Sequence, residues 1–313
     1  MGDLPKERVT PSNSNSNVGV DLAGPFAIKR APLGNKIEKS YLSLFVCFAT
    51  KALDLELVSS LSTASFLDCL RRFLARRGVP PNILSDNGTN FVGVSHGLLK
   101  LQETARTSEV TDFLANVNCT WNFNPPSAPH FGGLWEAGVK TVKTHLRKIV
   151  GKTPLTFEEL ATTLAQIEAC LNSRPLCLLS MDANDPKALT AGHFLVGDSL
   201  LALPDPVMDV HIKPVKQWEL AQTLVNAFWR RWRSDYLNTL QPKVKWFRKG
   251  SDALRVNDVV LVTDAVSPAQ WPLARIVKLH EGNDGTVRVA TLFKNGKVFQ
   301  RPVVKVRKLP TEC

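Results

Sequence analysis

The sequence predicts an α/β fold: a mixed sheet with helices on its faces, then a helical segment and a small β-barrel. Three strand-like runs follow one another with short connections between residues 18 and 60. Further strands then alternate with amphipathic helices up to about residue 175, the order of a layered α/β unit. Beyond residue 254, four or five short apolar runs are separated by Gly, Asn and Asp turns, the pattern of a small all-β unit.

Taken in order, residues 1–17 form a polar lead rich in Ser, Asn and Pro and are expected to be disordered. VGVDLAGPF (18–26) reads as a strand. YLSLFVCFAT (41–50) reads as a buried strand, and the intervening APLGNK carries turn residues. ALDLELVSS (52–60) alternates apolar and polar residues, so a half-buried strand completes a meander. LSTASFLDCLRRFLARRG (61–78) reads as a helix. Ser62 or Thr63 caps it, Phe66, Leu67, Leu70, Phe73 and Leu74 share one face, and Gly78 ends it. NILSDNG (82–88) is a short strand entering a turn. Helical segments follow within 96–117, then a strand at CTWNFN (119–124) and a Pro/Gly loop at PPSAPHFGG (125–133). LWEAGVKTVKTHLRKIVG (134–151) and TFEELATTLAQIEACLNSRP (156–175) are amphipathic helices. In the second, Thr156 and Glu159 have capping-box spacing and Pro175 is the stop. These elements define a core over 18–180, an extended linker over 181–217, and a C-terminal unit over 218–313 with a basic helix and a barrel.

The chain has 313 residues, enough for two domains. Its net charge of +11 favours a polyanionic partner, nucleic acid or an anionic surface. The excess is +4 over residues 1–180 and +7 over 181–313, so it is concentrated in the C-terminal part. Within 211–249, nine basic residues face two acidic ones, and Trp218, Trp229, Trp232 and Trp246 are interleaved with them. Arg230, Arg231, Arg233, Lys243 and Lys245 suit phosphate contacts, with the indoles as stacking surfaces. Equally, the Trp residues can be the helix core and the Arg residues its solvated face. The longest apolar run, Leu42 to Ala49, is far short of the ~20 residues of a membrane-spanning helix. The N-terminus lacks the apolar core of a secretory signal. The six Cys form no CxxC pair and no zinc-finger spacing with His, so reduced thiols and no structural zinc are expected.

Three carboxylates stand out. Asp21 lies mid-strand, Asp86 at the end of the fourth strand before NGTNF, and Glu136 in the first turn of the helix after the Pro/Gly loop. A charge inside a core strand costs several kcal/mol unless it is paired or binds a metal. Two strand carboxylates and one on an adjacent helix can converge at a sheet edge, where divalent ions neutralise them. Oxygen ligands favour Mg²⁺ or Mn²⁺ over zinc, and two such ions clamp the attacking and leaving oxygens of a phosphoryl displacement. Taken singly, an Asp before Gly-Pro or Asn-Gly is more often a turn former.

VGVDLAGPF, ILSDNGTNF, NPPSAPHFGGLWEAGVKTVK and LNSRPL together resemble the catalytic core of retroviral and retrotransposon integrases, most closely those of BEL/Pao-type LTR retrotransposons. The resemblance covers roughly residues 18–310. It implies an RNase H-like core with a D,D,E triad of Asp21, Asp86 and Glu136 that binds two Mg²⁺ or Mn²⁺ ions. The 49 residues between Asp86 and Glu136 exceed the retroviral spacing, as in BEL/Pao-like elements, and imply a helical insertion within 93–118. The segment from RRWRSDYL through WPLARIVKLHEGNDGTVRV resembles the domain that follows BEL/Pao integrases, and implies an SH3-like DNA-binding barrel. Lys140, Lys143 and Arg147 lie four, seven and eleven residues after Glu136 and would point at the DNA ends. Asn87, Gly88 and Asn90 would shape the turn that aims Asp86, and Gly132 and Gly133 would free the active-site loop. His130 fits loop packing or a DNA contact. Asn172 and Arg174 fit structural roles, the Arg pairing an acidic group.

The resemblance further implies DNA 3′-end processing and strand transfer, DNA and a second copy of the chain as partners, no membrane, and a nuclear location reached through a cytoplasmic nucleoprotein particle. The N-terminal His/Cys zinc domain of integrases has no counterpart here, so the chain is expected to be a polyprotein fragment, a truncated copy or a host gene derived from one. Two other readings share the fold: a DNA-binding relic without turnover, and an RNase H-like nuclease acting on RNA–DNA hybrids.

Overall fold

The computed structural model describes residues 10–29, 36–60, 62–85, 104, 106–123, 140, 142–150, 154–180, 186–200, 217–240, 254–264, 267–282 and 286–310. The chain divides into two compact units, residues 1–168 with 208–228, and residues 169–207 with 229–313.

The first unit is a mixed sheet with flanking helices. Strands β1 (Asn17–Lys29), β2 (Ile37–Cys47) and β3 (Leu53–Val58) form the antiparallel meander that the apolar runs predict. Helix α1 (Thr63–Arg77) follows, then β4 (Asn82–Ser85), α2 (Ser108–Asn116) and β5 (Thr120–Phe123). Residues 140 and 142–150 are helical and are called α3. Strand β6 (Leu155–Thr156) and helix α4 (Phe157–Asn172) come next. The sheet order is β3-β2-β1-β4-β5, with β6 also pairing β1; β4 runs parallel to β1 and β5 parallel to β4. β1 is thereby the central strand of the sheet, which is why its residues between Val18 and Ala23 are largely buried.

α1 begins where the sequence predicts. The Ser62 hydroxyl accepts the Ser65 N–H at 3.2 Å, and Gly78 closes the last turn at φ 81°. Its buried face is Phe66, Cys69, Leu70, Phe73 and Leu74; Phe73 stacks on Phe45 of β2 at 4.0 Å. The α4 start is a reciprocal capping box: Glu159 accepts the Thr156 N–H at 2.7 Å, and the Thr156 hydroxyl accepts the Glu159 N–H at 3.2 Å. In β1, a register shift lies between Ala23 and Phe26, and Gly24 has φ 137°. A Cβ on Gly24 would stand 2.9 Å from the Tyr41 ring, so only glycine fits there.

Two expectations change in this unit. All six residues of β3 are buried, although alternation predicts a half-buried strand. Asp54 and Glu56 are covered because guanidiniums of α1 reach over them. Arg77 Nε is 2.6 Å from Asp54, Arg72 Nε is 2.8 Å from Glu56, and Arg76 also pairs with Glu56. Glu168 of α4 accepts the free-edge N–H of Leu55 at 2.8 Å and pairs with Arg77 Nη2 at 2.6 Å. Burial and the nearby Asp54 carboxylate push the Glu168 pKa up to about 7. Glu56, Arg72, Arg76, Arg77, Glu168 and Phe157 line a cavity of about 290 Å³. The expected disorder of the lead also fails over residues 13–16. Ser16 donates to the Asn13 carbonyl at 3.2 Å, and Asn15 N–H points at Cys47 Sγ, 3.2 Å away, tying this turn to the core.

In the second unit, the linker expectation over 181–217 is overturned in part. β7 (Pro175–Ser180) and β8 (Lys187–Thr190) form an antiparallel pair, followed by the short helix α5 (His193–Val196). Pro at the first strand position costs no ladder hydrogen bond, so Pro175 both stops α4 and starts β7. Helix α6 (Gln217–Thr239), which belongs to this unit from Trp229 onward, is followed in sequence by strands β9 (Val259–Val262), β10 (Leu273–Glu281), β11 (Val287–Lys294), β12 (Lys297–Pro302), a 3₁₀ turn (Val303–Lys305) and β13 (Val306–Lys308). These five strands form an antiparallel sheet in the order β12-β11-β10-β9-β13. The expected strands are present, but no pairing among the described residues joins β12 to β13, so no closed barrel is formed by them. Period-2 alternation gives β9 two apolar faces. Val260 and Val262 pack with Ala274, Ile276, Ala290 and Leu292, while Val259 and Leu261 pack with Leu273, Leu237 and Leu309.

Cys47, Cys69, Cys119 and Cys170 are buried free thiols, as expected. Cys177 of β7 is disulfide-bonded, which corrects the expectation of reduced thiols throughout. Leu178 donates to the Pro310 carbonyl at 3.2 Å, so β7 has a distant part of the chain beside it. Among the described residues, no helix is long and apolar enough to cross a membrane.

Candidate active site

Asp21 sits on central β1, between β2 and β4. It pairs in register with Leu44 of β2, and the last parallel pair with β4 is Val20 with Ser85. The next residues in the two sequences are Asp21 and Asp86. The Asp21 side chain is half-buried, 27 % exposed. One carboxylate oxygen, Oδ1, accepts the Leu22 N–H at 2.8 Å. The other, Oδ2, lies 2.5 Å from the Lys143 ammonium, whose side chain is 20 % exposed.

Lys143 belongs to α3, which buries Val142, Leu146, Ile149 and Val150 and exposes Lys140, Arg147 and Lys148. The buried positions follow helical spacing, so the helix is fixed by its apolar face. Lys143 lies at the margin of that face and reaches back to the sheet. The stripe of Lys140, Lys143 and Arg147 is therefore split: two cations are exposed, and the middle one is paired with Asp21. Sequence spacing identifies the stripe but not this pair, because the contact depends on how α3 sits over β1.

Asp86, Glu136, Asn87, Gly88, Asn90, His130, Gly132, Gly133, Lys243 and Lys245 lie outside the described residues. Among the described residues, no three of His, Cys, Asp and Glu form a metal-holding group. Of the three carboxylates that the sequence singles out, Asp21 alone lies among the described residues. Its donor set is carboxylate oxygen, which fits a hard divalent cation.

The basic helix α6 also divides. Arg230 and Arg231 are exposed. Arg233 is buried; its Nη2 donates to the Val262 carbonyl at 3.3 Å, and its guanidinium stands near Trp229 and Trp271 at 6.0 and 5.8 Å. Trp229 and Trp232 are buried and pack with Trp271 and Tyr236. They are core, so the stacking surface expected of them is closed and the core alternative holds for these two. Arg174 is partly buried and donates to the Leu171 carbonyl at 2.7 Å. Burial lowers its pKa, and the Tyr236 phenol opposes that shift. The Asn172 carbonyl accepts the Gly192 N–H at 2.9 Å. Both residues are structural in these contacts.

Residues 216–309 match a family of unknown function (DUF5641). The match spans α6 and the antiparallel sheet, less than half of the chain. No curated protein matches this chain. Among solved structures, similarity is found to the catalytic core domain of HTLV-2 integrase in complex with magnesium, in its trimeric form, at 14 % identity and a TM-score of 0.38. That match covers 59 % of this chain and 99 % of the other. The simian T-cell lymphotropic virus intasome in complex with PP2A regulatory subunit B56 gamma is similar at 12 % identity and a TM-score of 0.38, over 99 % of this chain and 84 % of the other. The superpositions are loose, so the functional reading rests on this chain's own residues.

Proposed function

We propose that the chain is the integrase of a BEL/Pao-type LTR retrotransposon, a polynucleotidyl transferase that processes the 3′ ends of element DNA and joins them to target DNA. The observation that carries this reading is the position of Asp21. A half-buried carboxylate on the central strand is aligned with the strand that leads into Asp86, and it is reached by the helix that follows Glu136 in sequence. A structural aspartate needs no such coincidence with the family's D,D,E spacing.

Asp21, Asp86 and Glu136 would hold Mg²⁺ or Mn²⁺, two ions by the resemblance. The metal, when bound, lowers the charge of the reacting phosphodiester and lends acidity to the attacking hydroxyl or water. The chain supplies position. β1 is fixed on both sides by β2 and β4, which holds the Asp21 backbone still. The exposed Lys140 and Arg147 lie on one helix and suit contacts to the DNA backbone, and Arg230 and Arg231 suit the same task in the second unit. A homo-oligomer, an SH3-like C-terminal module and a nuclear location complete the proposal.

The test uses a blunt duplex that mimics an element end, incubated with purified chain in Mg²⁺, Mn²⁺ or EDTA. The reading predicts metal-dependent nicking near the 3′ end, at least ~100-fold weaker in Asp21→Asn. Salt-sensitive duplex binding without nicking in any metal would support a DNA-binding relic instead. Cleavage confined to an RNA–DNA hybrid would support a nuclease.

A further inference from the structure

We infer that Lys143 and a divalent cation are alternative partners of Asp21, so that metal binding frees the Lys143 ammonium for a phosphodiester and makes the two ligands bind cooperatively. The inference rests on the reading of Asp21 as a metal ligand.

Both oxygens of Asp21 are engaged: Oδ1 by the Leu22 N–H at 2.8 Å, and Oδ2 by the Lys143 ammonium at 2.5 Å. A hard dication needs a carboxylate oxygen at about 2.0–2.6 Å. It would then stand within a few ångströms of the ammonium, and like charges that close in a half-buried site repel strongly. One of the two cations must leave. Asp21 cannot move far, because β1 is hydrogen-bonded on both sides. Lys143 can, because its charge sits on a flexible four-carbon stem with three rotatable donors.

Where the ammonium goes follows from its helix. Lys140 and Arg147 lie three residues before and four residues after Lys143, so the three side chains share one stripe of α3. The two flanking cations are exposed. A released Lys143 would join them and add a third charge to a surface suited to phosphate. Binding of a phosphate there would hold Lys143 away from Asp21 and leave the carboxylate open. Thermodynamic linkage makes the effect mutual: the metal tightens DNA binding by the same factor by which DNA tightens metal binding. Lys143 is thus a positioning residue that acts through Asp21.

The test is Mn²⁺ affinity of the full chain without DNA, read by the free-ion electron paramagnetic resonance signal. Lys143→Gln should bind Mn²⁺ roughly three- to tenfold more tightly than the parent, since the competing cation is gone. Lys143→Met, which keeps the stem and drops the charge, should do the same. Lys148→Gln, which removes an exposed charge from the same helix, should change little, and Asp21→Asn should lose the site. A structural role for Lys143 would not raise metal affinity. In a companion measurement with Ca²⁺ against EDTA, metal should tighten duplex binding severalfold in the parent and not in Lys143→Gln. Equal or weaker Mn²⁺ binding in both Lys143 variants, with Asp21→Asn still defective, overturns the exchange and leaves the metal site standing. Mn²⁺ binding indifferent to Asp21→Asn overturns both.

Discussion

Arg77 shows how much one side chain holds in this chain. Its guanidinium bridges two carboxylates, Asp54 and Glu168, each at 2.6 Å. Truncation leaves both buried acids short of a counter-charge, so Arg77→Ala should cost about 3–5 kcal/mol in urea unfolding. Glu168 gives a pH signature. Its folded pKa of about 7 exceeds the ordinary value of 4.5, so between these pH values the folded state keeps a proton that the unfolded state has lost. Stability from this group is therefore highest at low pH and falls as pH rises through the window. Urea unfolding from pH 5 to 8 should show this decline in the parent and a flatter profile in Glu168→Gln. The sequence displays the alternation of Asp54 and Glu56 but not their burial, because the covering guanidiniums come from a helix that must first be docked. Asp21 was legible as an odd charge in an apolar strand; its partner Lys143 was legible as part of a basic stripe, but not as a partner.

At the scale of elements, period and caps did most of the specifying. The β1–β3 meander, α1 with its Ser62 cap, and the Thr156–Glu159 box of α4 form where apolar spacing and capping residues place them. The β7–β8 pair was missed because Pro and Asp in that stretch read as linker, whereas Pro175 occupies the first strand position, where its missing N–H is harmless. Phe73→Ala should cost about 3–5 kcal/mol in chemical unfolding, since it opens a cavity beneath the stacked Phe45. Helix α6 carries a sharper test, because equal-looking arginines have unequal surroundings. Arg230→Gln with Arg231→Gln should reduce the salt dependence of duplex binding by about one to two charges. Arg233→Gln should leave that dependence unchanged and instead lower the unfolding midpoint, because its guanidinium lies among Trp229, Trp271 and the Val262 carbonyl.

For the whole molecule, the α/β class and the β-rich C-terminal unit were legible, since both follow from the order of patterned segments. The unit boundaries were not, because α4 and α6 each continue from one compact unit into the other, and residues 208–228 return to the first. No local pattern marks a helix as shared. The central claim is that Asp21, Asp86 and Glu136 act as one metal-dependent site in the full chain. The most direct measurement is resolution of a branched oligonucleotide that mimics an integration intermediate, in Mg²⁺, Mn²⁺ and EDTA, with Asp21→Asn, Asp86→Asn and Glu136→Gln beside the parent. The account predicts metal-dependent resolution by the parent and loss of at least ~100-fold in each variant, with duplex binding retained. Resolution that persists in any one of the three variants, or in EDTA, would contradict it.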